Sequence, residues 1–193
     1  MSSQLDVRAA PELNARQRQT VDRLLVAGAD ELEAVGVEGL TIRTVALRAG
    51  VSSATAYTYF TSKDHLFAEL YWRHLRGHPT PGTDADADVV ARLSALTRSM
   101  TTMLANSPQM AAAATRALLG TDPAVERLRI RIGNEYARRF QKALGPDGDP
   151  AVLDTLSLTF LGALLHAGMG FFTYSQMADR LDDAIAVIMK GHA

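Results

Sequence analysis

Apolar residues recur three and four positions apart along almost the whole chain, and strand-like alternation is absent. This period is that of an α-helix, in which residues three and four apart share one face. Proline or glycine stands at most of the breaks between the periodic segments, as is usual at helix ends. The pattern therefore predicts an all-α protein.

The helix boundaries follow from capping and helix-breaking residues. Asn14 and Gln17 have the spacing of a capping box, which predicts the start of the first helix, and Gly36 and Gly39 predict its end. Three later helices are expected to begin at a Ser-Pro or Asp-Pro pair, in which proline takes the first helical position. The helices predicted after the first are 41–49, 53–60, one from 61–64 to 76, 84–105, 108–119, 123–144, 150–172 and 176–190.

The best domain boundary lies at residues 77–83, which hold two prolines and two glycines. We therefore expect a flexible arm at 1–15, a first domain at 16–76 that includes the connecting helix, and a second domain at 83–193. The first residues lack the apolar core of a signal peptide, so a cytoplasmic location is expected.

Composition excludes several classes of site. The 193 residues include no cysteine, which excludes disulfides, cysteine zinc sites, iron–sulfur clusters and thiol nucleophiles. The net charge of −1 argues against a nucleic-acid binder only when the chain is taken as a whole. Residues 41–76 carry five basic and two acidic side chains, so this segment is positively charged.

Residues 41–60 predict a helix-turn-helix, because two short helices are separated by a turn that contains glycine. Gly50 suits a positive φ in that turn, and Ala46 suits the close crossing of the two helices. Ser52 is placed to cap the second helix. Val45, Val51 and Ala56 are expected to form the small shared core, and Phe60 is expected to turn inward.

The exposed face of this motif suits DNA. The first turn of the second helix carries the small residues Ser53, Ala54 and Thr55, which allow close approach to base edges. Tyrosine hydroxyls follow in the same helix, and a lysine begins the next one. Such a surface offers both phosphate contacts, which position a protein on DNA, and base contacts, which specify the sequence.

Residues 16–76 resemble the DNA-binding domain of tetracycline-repressor (TetR) family regulators. The similarity rests on Gly39-Leu40-Thr41, Val45-Ala46, Ala49-Gly50-Val51-Ser52, Tyr57, Tyr59-Phe60, Ser62-Lys63 and Leu66-Phe67. Ala56 departs from the leucine or isoleucine that the family commonly has. The resemblance implies phosphate contacts by Thr41, Tyr57, Tyr59 and Lys63, and base contacts by Arg43, Ser53, Ala54 and Thr55.

The resemblance also implies the function: a homodimeric repressor that binds a palindromic double-stranded operator and is released by a small effector. A transcriptional activator of the same fold is an alternative that the sequence does not separate from a repressor. A helical enzyme is a second alternative, for which Glu135, Tyr136 and His166 are the only obvious polar candidates.

The last two helices are candidates for the dimer interface. The run 156–172 has no formally charged residue, and we expect it to be a helix buried on nearly all sides rather than a membrane span. In the family the last two helices form a four-helix bundle with the second protomer, and contact within one chain is the alternative. The interface candidates are Gly162, Ala163, Ala167, Met177, Leu181, Ile185 and Ile188.

The second domain also offers a candidate pocket for an apolar effector such as a lipid, acyl or steroid-like molecule. Its expected lining is rich in methionine and aromatic residues, and the alternative is that these side chains simply fill the core. The candidates are Met100, Met103, Leu104, Met110, Tyr136, Phe140, Phe160, Leu164 and Met169.

No cofactor, metal or catalytic site is expected. His74 and His78 have a metal-ligand spacing of four, but they flank a helix end and have no clear third ligand. Phosphate-binding loops and the Gly-x-Ser-x-Gly motif of hydrolases do not occur in the sequence. These observations favour a regulator over an enzyme.

Overall fold

The computed structural model describes residues 14–82 and 87–191, so the predicted arm at 1–15 lies almost wholly outside the described residues. The described residues form nine α-helices and no strand, which confirms the all-α prediction. The helices are α1 (Ala15–Gly39), α2 (Ile42–Arg48), α3 (Ser53–Tyr59), α4 (Lys63–Gly77), α5 (Val89–Asn106), α6 (Pro108–Leu119), α7 (Pro123–Leu144), α8 (Pro150–Gly168) and α9 (Tyr174–Lys190).

Helix α1 begins at the predicted capping box. The Asn14 side chain accepts a hydrogen bond from the Gln17 backbone N–H at 2.9 Å, and the Gln17 side chain accepts one from the Asn14 N–H at 2.8 Å. The helix is kinked at Gly36, whose φ of 69° is cheap only for glycine. The kink directs the last turn of α1 toward α2.

Two main hydrophobic cores share helix α4. The first core joins α1, α2, α3 and the N-terminal half of α4, called its upper half below, and includes Leu66 and Phe67. The second core joins α5 to α9 and includes Tyr71 and Leu75 from the lower half of α4. Helix α6 also contributes Ala113 to the first core, so the two cores touch along α4 and α6.

A buried polar group fixes the end of α4 to α7. The Arg139 side chain is 2% exposed and donates hydrogen bonds to the Leu75 carbonyl oxygen at 2.6 Å and the His78 carbonyl oxygen at 3.1 Å. Its Nε also donates to Glu135 at 2.8 Å. The hydrogen bond from Arg138, aided by that from Arg139, lowers the pKa of Glu135 to about 2.

Helices α8 and α9 differ from the predicted boundaries. Helix α8 ends at Gly168, four residues before the predicted end, because Gly170 turns the chain with a φ of 82°. Helix α9 begins two residues early at Tyr174, where Thr173 and Gln176 form a capping box. Helix α5 begins at Val89 instead of 84, and residues 83–86 lie outside the described residues.

We predict that Glu135→Gln destabilises the protein at pH 7 by about 1–2 kcal/mol, a range that allows for solvent screening of the half-exposed Arg138. Because the folded-state pKa is depressed, the carboxylate stabilises the fold above the unfolded pKa. This stabilisation is lost as the pH falls through about 4.5 to about 2. Urea unfolding at several pH values and one protein concentration measures the difference.

The matched control is Glu33→Gln, which changes an exposed glutamate on α1. We expect it to change the free energy of unfolding by less than about 0.5 kcal/mol at any of these pH values. A Glu135→Gln penalty that persists unchanged at pH 2 would contradict the assignment of the stabilisation to the ionised carboxylate.

Candidate functional site

The predicted cap at Ser52 and the predicted glycine turn are confirmed, and a side-chain cap also starts α2. Thr41 caps α2, because its hydroxyl oxygen accepts from the Thr44 N–H at 3.1 Å. Ser52 caps α3 by accepting from the Thr55 N–H at 3.1 Å. Gly50 lies between them with a φ of 64°. The two short helices therefore end and begin at residues that the sequence itself specifies.

Packing then fixes the angle between the two helices. Val45, Ala46 and Ala56 are at most 1% exposed, and Phe60 turns inward as predicted. The Val51 N–H donates to the Ala46 carbonyl oxygen at 3.0 Å, which joins the turn to α2. Ala56 is fully buried, so the departure from the family's larger residue is accommodated in a closed core.

The four base-contact candidates lie on α2 and the first turn of α3. Arg43, Ser53 and Ala54 are exposed, whereas Thr55 is half-buried. The Thr55 hydroxyl lies 2.8 Å from the Ser52 hydroxyl, so it takes part in the helix cap. The small side chains leave the first turn of α3 open to solvent.

The four phosphate-contact candidates surround this turn. Tyr57 is 46% exposed on α3, and Tyr59 is half-buried against the first core. Thr41 is exposed at the start of α2, although its hydroxyl also caps that helix. Lys63 begins α4, and its ammonium group lies 5.8 Å from the centre of the Phe67 ring.

Two of the five basic side chains of residues 41–76 form ion pairs with acidic residues of α1. Arg48 donates to Glu31 at 2.7 Å and so holds α2 to α1, and this hydrogen bond lowers the pKa of Glu31. Arg73 pairs with Asp22 at 2.7 Å. These pairs are structural, so the charge that faces outward beside α3 is carried by Arg43 and Lys63.

A hydrogen bond between domains reaches the edge of this surface, and sequence reasoning did not find it. Ser62 caps α4 and donates from its hydroxyl to Asp122, which caps α7. The Ser62 hydrogen bond holds the pKa of Asp122 below its ordinary value. Arg129 orders the segment before Asp122 by donating to the carbonyl oxygens of Leu118 and Gly120. The residue before Lys63 is thus joined directly to the second domain.

The predicted effector pocket is occupied by its own side chains. Tyr136 and Phe140 pack against the ring of Phe160, with ring centres 4.9 Å and 5.7 Å away. Seven of the nine candidates are buried in the second core, namely Met100, Met103, Leu104, Tyr136, Phe140, Phe160 and Leu164. Met169 is 54% exposed and lies outside this core. Met110 is half-buried beside the first core. The seven buried residues therefore form a packed core, and Met169 is not part of a pocket there.

Four of the seven interface candidates are buried inside the chain. Met177, Leu181 and Ile185 are at most 2% exposed and belong to the second core, where α9 packs on α5 and α8. This burial by the chain itself removes them from the candidate interface. Ala167 is also buried, whereas Gly162 is exposed. The two remaining candidates, Ala163 and Ile188, are half-buried.

Exposed apolar side chains form a face on the outer side of α8 and in the turn after it, and Val187 adds one on α9. The exposed side of α9 otherwise carries charged residues such as Asp179, Arg180 and Asp183. The prediction that the run 156–172 is buried on nearly all sides is wrong for the single chain, because α8 buries one stripe only. Helix α8 is long and apolar enough to cross a membrane by length and composition, and 28% of the residues in its most apolar 18-residue window are buried. The large exposed side chains of this face are Leu158, Leu161, Met169, Phe171 and Val187, which are 44–73% exposed.

Most of the polar residues considered for catalysis or metal binding have structural partners, and the exception is His74, whose Nε2 atom makes no hydrogen bond. The Tyr136 hydroxyl is hydrogen-bonded to that of Tyr71 in the second core, and Glu135 is paired with two arginines. His166 packs edge-on against Phe171, with ring centres 5.4 Å apart. His78 shares a 2.8 Å hydrogen bond with Ser99. Within 14–82 and 87–191, no group of three or more potential ligands could hold a metal ion.

Comparisons with known proteins agree with this architecture. A profile of the family described as bacterial regulatory proteins, tetR family, matches residues 24–70. An uncharacterized HTH-type transcriptional regulator of Mycobacterium tuberculosis is 43% identical over 180 residues, which are 92% of this chain and 84% of the relative. The HTH-type transcriptional repressor KstR of Rhodococcus jostii is 27% identical over 183 residues, or 90% of this chain and 84% of that protein.

The fold is shared with solved structures. A TetR transcriptional regulator from Rhodococcus sp. RHA1 superposes with a TM-score of 0.73 at 19% identity, covering 90% of this chain and 97% of that chain. The matched residues 24–70 run from α1 into α4 and thus contain the whole helix-turn-helix. With the 43% identity over nearly the full length, these similarities establish that the chain belongs to the TetR family of helix-turn-helix transcriptional regulators.

Proposed function

We propose that this regulator is a homodimeric repressor that binds a palindromic operator and is released by a small apolar effector. The observation that carries the proposal is the capped and closely packed α2–α3 pair, which exposes the small first turn of α3. The related KstR is named a transcriptional repressor, which supports repression over activation for this protein. Because its target is chromosomal DNA, the protein acts in the cytoplasm.

Base recognition is assigned to α2 and the first turn of α3. Arg43 is exposed and long enough to reach a guanine edge, where a bidentate contact discriminates between bases. Ser53, Ala54 and Thr55 bring the backbone of α3 close to the major groove. Because Thr55 also shares a hydrogen bond with Ser52, its methyl group is the part best placed for an apolar base contact.

Phosphate contacts are assigned to the two flanks of α3. Thr41 and the N-terminus of α2 lie on one flank, where backbone N–H groups favour an anion. Lys63 begins α4 on the other flank, and Tyr57 and Tyr59 supply hydroxyl groups from α3. These contacts hold the protein in register while the base contacts select the sequence.

The exposed face of α8 and α9 is proposed to pair with the same face of a second copy. Apolar area of this kind is stabilised by removal from water, and a dimer with two-fold symmetry uses one face on both subunits. The two α3 helices of such a dimer would read half-sites about 34–36 Å apart. The revised interface keeps Gly162 and adds Leu158, Leu161 and Val187.

We predict that Arg43→Ala lowers affinity for the operator about 5–150-fold, because a bidentate guanine contact contributes roughly 1–3 kcal/mol of discrimination. Affinity for random DNA falls much less, since that binding depends on phosphate contacts. Genomic selection identifies the operator, and mobility shift at fixed salt measures both affinities.

The comparison variant is Lys63→Ala, which removes a proposed phosphate contact. We expect it to weaken operator and random DNA by similar factors and to reduce the salt dependence by about one charge. Equal losses on the two DNAs for Arg43→Ala would reject its role in base recognition. Failure of the unmodified protein to select any genomic DNA at low salt would reject the proposed function.

We predict that Leu158→Glu converts the dimer into monomers, because it places a charge in the centre of the proposed apolar interface. Light scattering coupled to size exclusion measures the mass. The matched control is Leu119→Glu on α6, since Leu119 is 66% exposed and Leu158 is 72% exposed in the single chain. A dimer that survives Leu158→Glu, or one that Leu119→Glu disrupts equally, contradicts this interface.

A further inference from the structure

A pocket of about 480 Å³ lies between α1, the lower half of α4, the turn after α4 and the start of α6. We call it the seam pocket, because α1 belongs to the first domain and α6 to the second. Its volume is within the range of about 300–1,000 Å³ found for small-molecule sites. Apolar side chains form much of its wall, including Leu25, Val26, Leu70 and Met110.

One side chain at the inner end of the seam pocket lacks a partner. His74 lines both the seam pocket and a narrow crevice that continues toward Tyr71. The His74 Nε2 atom is shielded from water and makes no hydrogen bond. Buried polar atoms in folded proteins normally have a partner, and the exceptions call for an explanation. A ligand that supplies a hydrogen-bonding group to this nitrogen is such an explanation.

The crevice is closed in this structure, and its walls are of a kind that can adjust. Met103 and Met110 line it together with Leu104, and the space has no room for a water molecule. Methionine side chains are unbranched and repack readily around irregular apolar groups. A ligand end that enters the crevice from the seam pocket would therefore displace methionine side chains first.

The charges on the wall favour a neutral ligand. The Asp30 carboxyl group lines the seam pocket, and Arg73, which also lines it, is already paired with Asp22. An anionic ligand would thus be repelled by the Asp30 carboxylate, while the positive charge of Arg73 is already balanced by Asp22. An imidazole nitrogen either donates or accepts a hydrogen bond, so a hydroxyl group is a suitable partner in both tautomers.

Occupation of the seam pocket would act on both domains. Helix α1 also packs on α6 outside the seam pocket, and Glu38 at the end of α1 pairs with Arg116 at 3.6 Å. The same α1 holds α2 through the ion pair between Glu31 and Arg48. A ligand wedged between α1 and α6 therefore changes the support on which the helix-turn-helix rests.

We propose that the seam pocket is the effector site, and that its ligand is a neutral amphipathic molecule with an apolar body and one hydroxyl group. The apolar body lies along Val26, Leu70 and Met110, and the hydroxyl group pairs with His74 Nε2. The effect of the ligand on operator binding rests on the proposed function, whereas binding of the ligand to the seam pocket can be measured without DNA. A second pocket at Phe171 and Gln176 is less suitable, because it adjoins the face assigned to the dimer.

The test uses 1-decanol, with decane and decanoate as probes that lack the hydroxyl group or carry a charge. We expect 1-decanol to raise the unfolding temperature of the full-length dimer by about 2–4 °C. It should also weaken operator binding at least about fivefold. Decane, compared at the same fraction of its aqueous solubility, and decanoate, compared at the same concentration, should have smaller effects. No thermal shift with 1-decanol up to its solubility limit would overturn the proposal.

Two variants locate the binding site. Val26→Trp fills the mouth of the seam pocket and should abolish the thermal shift with 1-decanol, whereas Val35→Trp is the matched control on the same helix. The two valines are 52% and 47% exposed, and only Val26 lines the pocket. His74→Phe should remove the preference for 1-decanol over decane. If 1-decanol raises the unfolding temperature of Val26→Trp as much as that of the unmodified protein, the ligand does not bind in the seam pocket and the proposal is overturned.

The two proposals fail in distinguishable ways. If the unmodified protein binds no DNA but 1-decanol still raises its unfolding temperature, the proposed function is contradicted and the seam pocket remains a binding site. A 1-decanol shift that depends on Val26 but leaves operator affinity unchanged would overturn the effector role of the pocket. A shift together with operator release, both abolished by Val26→Trp, supports both proposals.

Discussion

The fold depends on one helix, α4, which packs into both hydrophobic cores at once. Its upper half places Leu66 and Phe67 among α1, α2 and α3, and its lower half places Tyr71 and Leu75 among the helices of the second domain. Ala68, on a third side, packs against the start of α7. Because closely packed interiors transmit strain, α4 cannot shift in one core without disturbing the other. The position of the helix-turn-helix is therefore tied to the packing of the second domain.

Polar contacts reinforce this coupling at both ends of α4. At its start, Ser62 is hydrogen-bonded to Asp122 of the second domain, immediately before the proposed phosphate contact Lys63. At its end, buried Arg139 holds the carbonyl oxygens of the last turn. An effector that prefers one arrangement of these contacts by about 1–3 kcal/mol changes operator affinity 5–150-fold. In the proposed dimer, a small displacement of α4 would change the spacing of the two recognition helices on which operator binding depends.

The sequence predicts those parts of the fold that local chemistry determines. The caps at Thr41 and Ser52 and the positive φ of Gly50 each involve residues a few positions apart, so the helix-turn-helix could be predicted closely. The apolar stripe of α9 was also visible, but periodicity does not say whether Met177 packs against its own chain or a partner. The hydrogen bond to Asp122 joins positions 60 residues apart, and no local pattern indicates it. Of the predicted pocket residues only Met110 lines the seam pocket, because helices distant in sequence form its other walls and no local pattern brings them together.

The distance between the two recognition helices of the proposed dimer tests the role of α4 most directly. The chain has no native cysteine, so Thr58→Cys on the exposed side of α3 allows one spin label in each protomer. Electron–electron double resonance then gives the distribution of distances between the two α3 helices in the folded dimer. We expect one narrow distribution, which Leu75→Ala broadens although Leu75 lies in the second core. An unchanged narrow distribution in that variant would contradict the claim that α4 transmits the packing of the second domain to the DNA-binding surface.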